Sequence, residues 1–498
     1  MSKTSLRELS QNTMLYTLCS LLQRAVGFLL LPVYTRYLTP ADYGVMQLLD
    51  ITVDIAAILF VSGMTAGLQR YYFMAKSDHE RNQVVSTTFF LEMGLGAAAA
   101  IALFFAAPLA SYIGLREAQH VMFVRIAATN FLLSILLSVP MLLIQTQKRA
   151  GLYLLVSMGR LALQVTLNLT FLVGFGLGVA GILYAGFFVN LIVGTALVTW
   201  LIRNTGLSFN VPLFRQLRAF GVPYQISTAG AFILAFGDRF FLGHSRSISE
   251  VGLYGLAYQF GFLLSSLVES PFHRAWTPVR FQQSELPRSE RDLLYSQGLD
   301  LLSIAVVLVG SGVVLFTPFI LRLLTTPEFH PAAAMVPIVI AAYVVQCYTM
   351  VVAFGIDVST RTKYYTYATW ASAASIIVLY ALLIPRFGGF GAAWATFLAF
   401  LIRFALTYSF AQQLWPVNYQ WDRVLRTTSI GLLTALAAWA LPSPTGLWMM
   451  LVKSTVLYCF CALAIWVTVL RPEQRLTAIG MLKKSFRQFP IFRRHPAS

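Results

Sequence analysis

Fourteen apolar stretches, most of them about 20 residues or longer, occupy this 498-residue chain almost end to end. They lie near 12–36, 44–68, 84–112, 120–145, 152–174, 179–201, 219–242, 252–277, 297–323, 332–356, 364–385, 389–412, 427–442 and 447–470. Only short gaps separate them, so the backbone has to be satisfied within lipid, where helices and closed barrels are the structures that achieve it. A barrel would show strands of about ten residues alternating in polarity. Runs such as 301–316 do not alternate. Composition agrees: 58% of residues are hydrophobic and 11% charged, far from the charged fraction of about a quarter in soluble domains. The expected fold is all-α and polytopic, with about fourteen transmembrane helices.

Lys and Arg collect in alternate gaps. If both termini are cytoplasmic, the cytoplasmic gaps and the tail hold 24 basic residues and the opposite gaps five, Arg36, Arg116, Arg246, Arg322 and Arg386. By the positive-inside rule that bias orients the chain with both termini cytoplasmic. The net charge of +17 is then mostly topology, with tail contact to anionic membrane lipids and no need for nucleic acid. The N-terminal MSKTSLRELSQNTML has no small-residue cleavage site after a short apolar core, so the first span is expected to stay in the protein. Cys19, Cys347, Cys459 and Cys461 fall inside spans without zinc-like spacing and read as packing residues. No metal site and no cofactor are expected. There is no P-loop glycine-lysine motif, and the gaps are too short for a folded catalytic loop, so no catalytic residue is assigned.

The chain repeats itself. A shift of 208 residues lays Leu6-Arg7-Glu8-Leu9 on Phe214-Arg215-Gln216-Leu217 and Asp42-Tyr43-Gly44 on Glu250-Val251-Gly252. A shift of 210 lays Gly178, Gly181, Tyr184 and Ala185 on Gly388, Gly391, Trp394 and Ala395. Six spans lie within each offset, and an even number makes the halves parallel about an axis along the membrane normal. The domain reading is an N-lobe over 1–202 (spans 1–6), an amphipathic linker helix over 203–220, a C-lobe over 221–412 (spans 7–12), spans 13–14 over 413–470 and a basic cytoplasmic tail over 471–498.

Three segments carry a family resemblance. Leu31-Pro-Val-Tyr-Thr-Arg-Tyr-Leu-Thr-Pro-Ala-Asp-Tyr-Gly44 resembles the first helix exit of polysaccharide flippases, with Thr39 in place of the usual glycine. Asp238-Arg239-Phe-Phe-Leu-Gly243, then Glu250-Val-Gly-Leu-Tyr254 and Pro278, is similar to the signature that opens their second half. Ile384-Pro-Arg-Phe-Gly-Gly-Phe-Gly-Ala-Ala-Trp-Ala395 resembles their late glycine-alanine segment. The chain thus resembles the oligosaccharide flippase (Wzx-like) branch of the multidrug/oligosaccharidyl-lipid/polysaccharide (MOP) exporter superfamily. That resemblance implies two six-helix lobes around a V-shaped cavity as in MATE transporters, alternating access, and an undecaprenyl-diphosphate-linked oligosaccharide moved from the cytoplasmic to the periplasmic leaflet for O-antigen, capsule or exopolysaccharide synthesis. A polysaccharide polymerase is an implied partner.

Charges inside spans are costly and mark an interior or a water-filled path. Span 1 carries a polar stripe with Thr13, Thr17, Ser20 and Arg24, flanked by Gln23. Span 2 aligns Gln47, Asp50 and Asp54; span 7 aligns Gln225, Thr228 and Arg239; span 8 aligns Ser265, Glu269 and His273, with Arg274 beside them. Arg24, Arg239 and Arg274, helped by Gln23 and Ser20, are the candidates to grip a diphosphate, because guanidinium is always charged and matches phosphate oxygens two at a time. The competing reading pairs them with Asp50, Asp54, Asp238 and Glu269. Asp50, Asp54, Glu269 and His273 are the candidates for ion coupling. Arg160 is expected to meet Glu92, Arg125 and Lys453 to reach toward the membrane surface, and Pro140, Pro271 and Pro337 to kink their helices. Rival functions are a lipid II flippase, a cation-coupled drug exporter and, from another class, a membrane glycan polymerase or ligase.

Overall fold

The computed structural model describes residues 29–61, 63–112, 120–283, 286–359, 361, 363–442, 444 and 446–470, together with 19, 22, 26, 27 and 475. Its long helices are α1 (Pro40–Phe60), α2 (Met64–Met74), α3 (Asp78–Phe105), α4 (Val121–Thr146), α5 (Ala150–Leu169), α6 (Gly178–Thr205), α7 (Val211–Ser245), α8 (Ile248–Leu264), α9 (Ser270–Gln282), α10 (Arg288–Leu324), α11 (Val336–Val352), α12 (Lys363–Leu414), α13 (Trp421–Ala440) and α14 (Leu447–Thr468). The described residues contain no strand. Ten helical segments among them are long and apolar enough to cross a membrane.

Those ten account for most of the expected spans. Segments 364–385 and 389–412 share α12, where Gly388 adopts φ 57° and breaks the helical run. A Cβ at Gly388 would displace the Glu250 carboxylate, and the positive φ is what favours glycine there. Segment 427–442 is helical as α13, but Arg423, Arg426 and its threonines keep it outside the ten. Segment 219–242 continues α7, which starts at Val211 and includes most of the amphipathic stretch over 203–220 in one unbroken helix. The first span lies mostly outside the described residues.

Helix starts follow the local sequence. Thr39 caps α1: its hydroxyl accepts from the Asp42 N–H at 3.2 Å, the Asp42 carboxylate accepts from the Thr39 N–H at 2.9 Å, and Pro40 follows at the first helical position. The Thr-Pro-Ala-Asp-Tyr-Gly motif is therefore a helix initiator. Ser77 and Asn210 cap α3 and α7 in the same way. Pro140 is carried inside α4, and Pro337 sits at the second position of α11, in the first turn, where its missing N–H costs nothing.

The described residues form two compact units. One comprises those up to 257 with 324–335 and 366–399; the other comprises 258–323, 336–365 and those from 400 onward. In the first, Leu68, Val84, Val85, Phe89, Val139, Leu143 and Leu201 form a core between α2, α3, α4 and α6. A smaller cluster of Ala56, Ala99, Ala100, Phe131 and Ile135 packs α1, α3 and α4. In the second, Val307, Cys461, Ile465 and Val469 join α10 to α14, where the Cys461 thiol lies 3.7 Å from the Ser311 hydroxyl. Cys347 is likewise buried, whereas Cys459 is exposed. Trp439, Trp448 and Phe460 are more than half exposed, as helices surrounded by acyl chains leave their outer faces.

Each unit holds a latch between corresponding segments of the repeat. In the first, the loop entering α7 returns to α3: the Ser208 N–H donates to Ser86 Oγ at 2.8 Å and the Asn210 N–H to Thr87 Oγ1 at 3.2 Å. In the second, the loop entering α13 returns to α10: the Gln420 N–H donates to Ser296 Oγ at 2.9 Å and the Asn418 N–H to Asp292 Oδ2 at 3.3 Å. Ser296 is Ser86 shifted by 210 residues, and Asn418 and Gln420 are Ser208 and Asn210 shifted by the same amount. Ser86 takes its bond from Ser208 whereas Ser296 takes its bond from Gln420, the equivalent of Asn210, so the two latches join corresponding segments two residues out of register. Removing one of these bonds leaves a backbone N–H short of a partner, at a cost of about 1–3 kcal/mol. Ser86→Ala and Ser296→Ala should therefore lower thermal stability by similar amounts, read as the melting temperature of the purified protein; a loss in one variant alone would break the equivalence.

Candidate functional site

The second unit contains a cavity of about 510 Å³, within the size range of small-molecule sites. Its polar wall begins where α8 passes through a π-helical turn, Ser265–Glu269, into α9. Pro271 is the local cause. It has no N–H, and its ring would press on the carbonyl one turn back, which a widened turn relieves; the Ser270 N–H accordingly bonds to the Ser265 carbonyl. The helix runs on, and Ser265, Glu269, His273, Arg274 and Arg280 all line the cavity. Gln346 and Thr349 enter from α11, Tyr365 and Arg403 from α12.

Ser265 Oγ donates to Glu269 Oε2 at 2.7 Å, which holds that carboxylate within its own turn. Arg403 Nη1 donates to Gln346 Oε1 at 3.2 Å. Arg280 is 6% exposed and forms an ion pair with Asp357 at 3.1 Å while its guanidinium lies 5.1 Å from the Phe354 ring centre. Arg274 is exposed, its Nε 3.3 Å from the Ser270 carbonyl. Asp357 neutralises Arg280, which leaves Arg274 and Arg403 against Glu269. The excess is positive, and the arrangement suits an anion that offers several oxygens. Among the described residues no three His, Cys, Asp or Glu side chains gather as metal ligands.

Glu269, His273 and Arg274 come together as their helical spacing predicts. Two partners were not foreseen. Arg280 belongs by sequence to a basic gap, yet it lies seven residues beyond His273 on the continuing helix; extending the stripe past Pro278 would have found it. Arg403 carries no local signal, because only packing brings α12 beside α9. In the first unit Asp50 and Asp54 are exposed, one turn apart on α1, and neither pairs with a described residue. Arg24, Gln23 and Ser20 lie outside the described residues.

Arg239, expected to grip phosphate, occupies a different environment. It is 2% exposed and pairs with the fully buried Asp238 at 2.9 Å, and the same Nη1 donates to the Ala235 carbonyl at 3.1 Å. The Tyr254 hydroxyl donates to the other Asp238 oxygen at 2.6 Å, and Tyr254 and Phe236 present ring faces to the guanidinium. The adjacent acid and the two aromatic rings bury it as an ion pair instead of presenting it to ligand. Arg160 does not meet Glu92: it donates to Asn190 at 3.3 Å, whereas Glu92 is fully buried, with no hydrogen-bond partner within 3.5 Å among the described residues. Arg125 lies over the Phe104 ring, 5.2 Å from its centre. Lys453 turns back to cap α13, donating to the carbonyls of Ala438, Leu441 and Pro442 at 2.9, 2.9 and 3.3 Å.

Residues 9–284 match the model of a family described as polysaccharide biosynthesis protein. An uncharacterized membrane protein of Haemophilus influenzae is 24% identical over 322 residues, covering 62% of this chain and 74% of that protein. Among solved structures, the lipid II flippase MurJ in an inward closed conformation aligns with a TM-score of 0.72 at 12% identity over 92% of this chain and all of that one. An inward-facing MATE multidrug resistance transporter of the MOP superfamily aligns at 0.66 and 13% identity over 78% of this chain and 93% of that one.

Proposed function

Because this chain belongs to the polysaccharide biosynthesis protein family, a flippase family of the MOP superfamily, we propose that it carries an undecaprenyl-diphosphate-linked oligosaccharide from the cytoplasmic to the periplasmic leaflet of a bacterial inner membrane. It is a multi-pass membrane protein, and its family consists of transporters rather than enzymes. The observation that carries the reading is the cationic cavity in which Arg274 and Arg403 stand against Glu269, beside the Arg280–Asp357 pair. A diphosphate presents oxygens that guanidinium groups bind in pairs, and in a cavity of low dielectric those bonds are stronger than in water. A drug exporter fitted to cations would be repelled by the same wall. Gln346, Thr349 and Tyr365 offer neutral donors and acceptors suited to sugar hydroxyls.

In this reading both termini are cytoplasmic, the lobes over 1–202 and 221–412 alternate access, and O-antigen or exopolysaccharide precursors are the cargo handed to a polymerase. Asp50, Asp54, Glu269 and His273 bind and release the coupling proton or sodium. A unit charge crossing 100 mV gains about 2.3 kcal/mol, enough to bias a two-state carrier roughly fifty-fold.

Proteoliposomes holding an undecaprenyl-diphosphate oligosaccharide test both statements. The protein should deliver the glycan to the opposite leaflet, faster under an imposed proton or sodium gradient, and Glu269→Gln or Asp54→Asn should remove the gradient response while substrate still binds. Equal turnover of lipid II would favour the lipid II reading. Glycan lengthening would favour the polymerase class. Transport insensitive to both ions in the unsubstituted protein would remove the carboxylates from coupling.

A further inference from the structure

Helix α5 carries two unlike faces. Leu155, Gly159, Ala162, Thr166 and Leu169 are exposed at three- and four-residue spacing, which makes the stripe a lipid-facing helix shows. The hydroxyl on that stripe stays on its own helix: Thr166 donates to the Ala162 carbonyl at 2.9 Å. The opposite face carries Ser157, Arg160, Gln164 and Asn168 at the same kind of spacing. Its polar groups bond along the face and across to other elements. Arg160 donates to Asn190 Oδ1 on α6 at 3.3 Å, Gln164 Nε2 to Asn168 Oδ1 at 2.9 Å, and Asn168 Nδ2 to the Tyr34 hydroxyl at 2.6 Å. All these residues fall within the first compact unit.

Arg160 stands near the middle of the apolar segment Ala150–Gly174, and it is exposed. A guanidinium at that depth faces a protein interior or water, not acyl chains. The acyl-facing side of α5 is the other one, so Arg160 opens onto a watery recess. Its partner Asn190 is a neutral amide, and no carboxylate forms an ion pair with it among the described residues. Ser157 is buried on the same face, and its hydroxyl has no hydrogen-bond partner there. Just past Asn168 the helix widens into a π-helical turn, Thr170–Gly174, with no proline to cause it; such turns gather at functional sites. The face therefore offers one fixed positive charge among amides and hydroxyls. A diphosphate carries more negative charge than one guanidinium offsets. A sugar carboxylate carries a single charge on two oxygens that fit the planar fork, and the ring hydroxyls beside it both donate to and accept from amides.

We propose that this face of α5 is a carbohydrate subsite selecting cargo that contains an acidic sugar, with Arg160 receiving the carboxylate and Gln164 and Asn168 the neighbouring hydroxyls. This rests on the transport reading and names its substrate class. The probes are two undecaprenyl-diphosphate disaccharides that differ only in carrying glucuronic acid or glucose. Binding is measured on the purified full-length protein by native mass spectrometry, and movement in proteoliposomes. The acidic lipid should bind at least tenfold more tightly. Arg160→Gln, which keeps an amide at that position, should weaken acidic-lipid binding at least tenfold more than neutral-lipid binding, and Arg160→Lys should keep part of the preference. Equal binding of the two lipids by the parent overturns the subsite, whether or not the variants accumulate. Equal loss of both in folded Arg160→Gln overturns it as well, because the contact would then be to the shared diphosphate. An acidic preference that Arg160→Gln erases, with neither lipid moved across the bilayer, would leave the subsite standing and count against the transport reading.

Discussion

Replacing Arg274 and Arg403 together by alanine should cut glycan export about 10²–10⁴-fold while the protein reaches the membrane at near-normal level. Each hydrogen bond to a charged group is worth about 1.5–3 kcal/mol, and every 1.4 kcal/mol is a factor of ten. Arg403 reaches Gln346, and Arg274 lies near the carbonyl of Ser270 on its own helix. The lysine pair should restore part of the loss, since charge returns without the planar fork. Export by the alanine pair equal to the parent would remove the cavity from the substrate path. Disappearance of the protein would mean the guanidiniums serve packing.

Arg239→Ala should fail in the opposite way, losing the folded protein before any specific loss of transport. It strips the counter-charge from Asp238, which is fully buried, and breaking a buried pair from one side costs about 3–5 kcal/mol. Replacing both partners with neutral residues, as in Asp238→Asn with Arg239→Met, should recover much of that loss, because no lone charge then remains. Melting temperature and the amount of membrane-inserted protein measure both. An Arg239→Ala protein of normal stability that cannot export would return Arg239 to the ligand set.

The difference between these two arginines shows where reading the sequence succeeds and stops. Apolar runs locate the spans because lipid leaves the backbone little alternative, and periodicity along one helix puts Glu269 and His273 together. Thr39, Pro40 and Asp42 announce a helix start from three adjacent residues. Side-chain fate across helices is another matter. Arg239 resembles a cavity residue in the stripe of span 7, yet the adjacent Asp238 and Tyr254, fifteen positions on, bury it. Glu92 and Arg160 look like a pair by depth, yet Arg160 reaches Asn190 instead. Arg403 joins the site through packing that no spacing encodes. Arg280 lies on the same face as His273, two turns on along the helix that continues past Pro278.

The latch between Ser208 and Ser86 has a consequence for biogenesis. Everything it needs is encoded before residue 211, so α3 and the loop entering α7 can be fastened while the ribosome is still making the second repeat. The emerging α7 would then be held at its foot before α8 enters the bilayer, and the second half would insert against a partner already fastened. The later latch at Ser296 has to wait for Gln420, which makes spans 13 and 14 the clasp that completes assembly rather than an appendage.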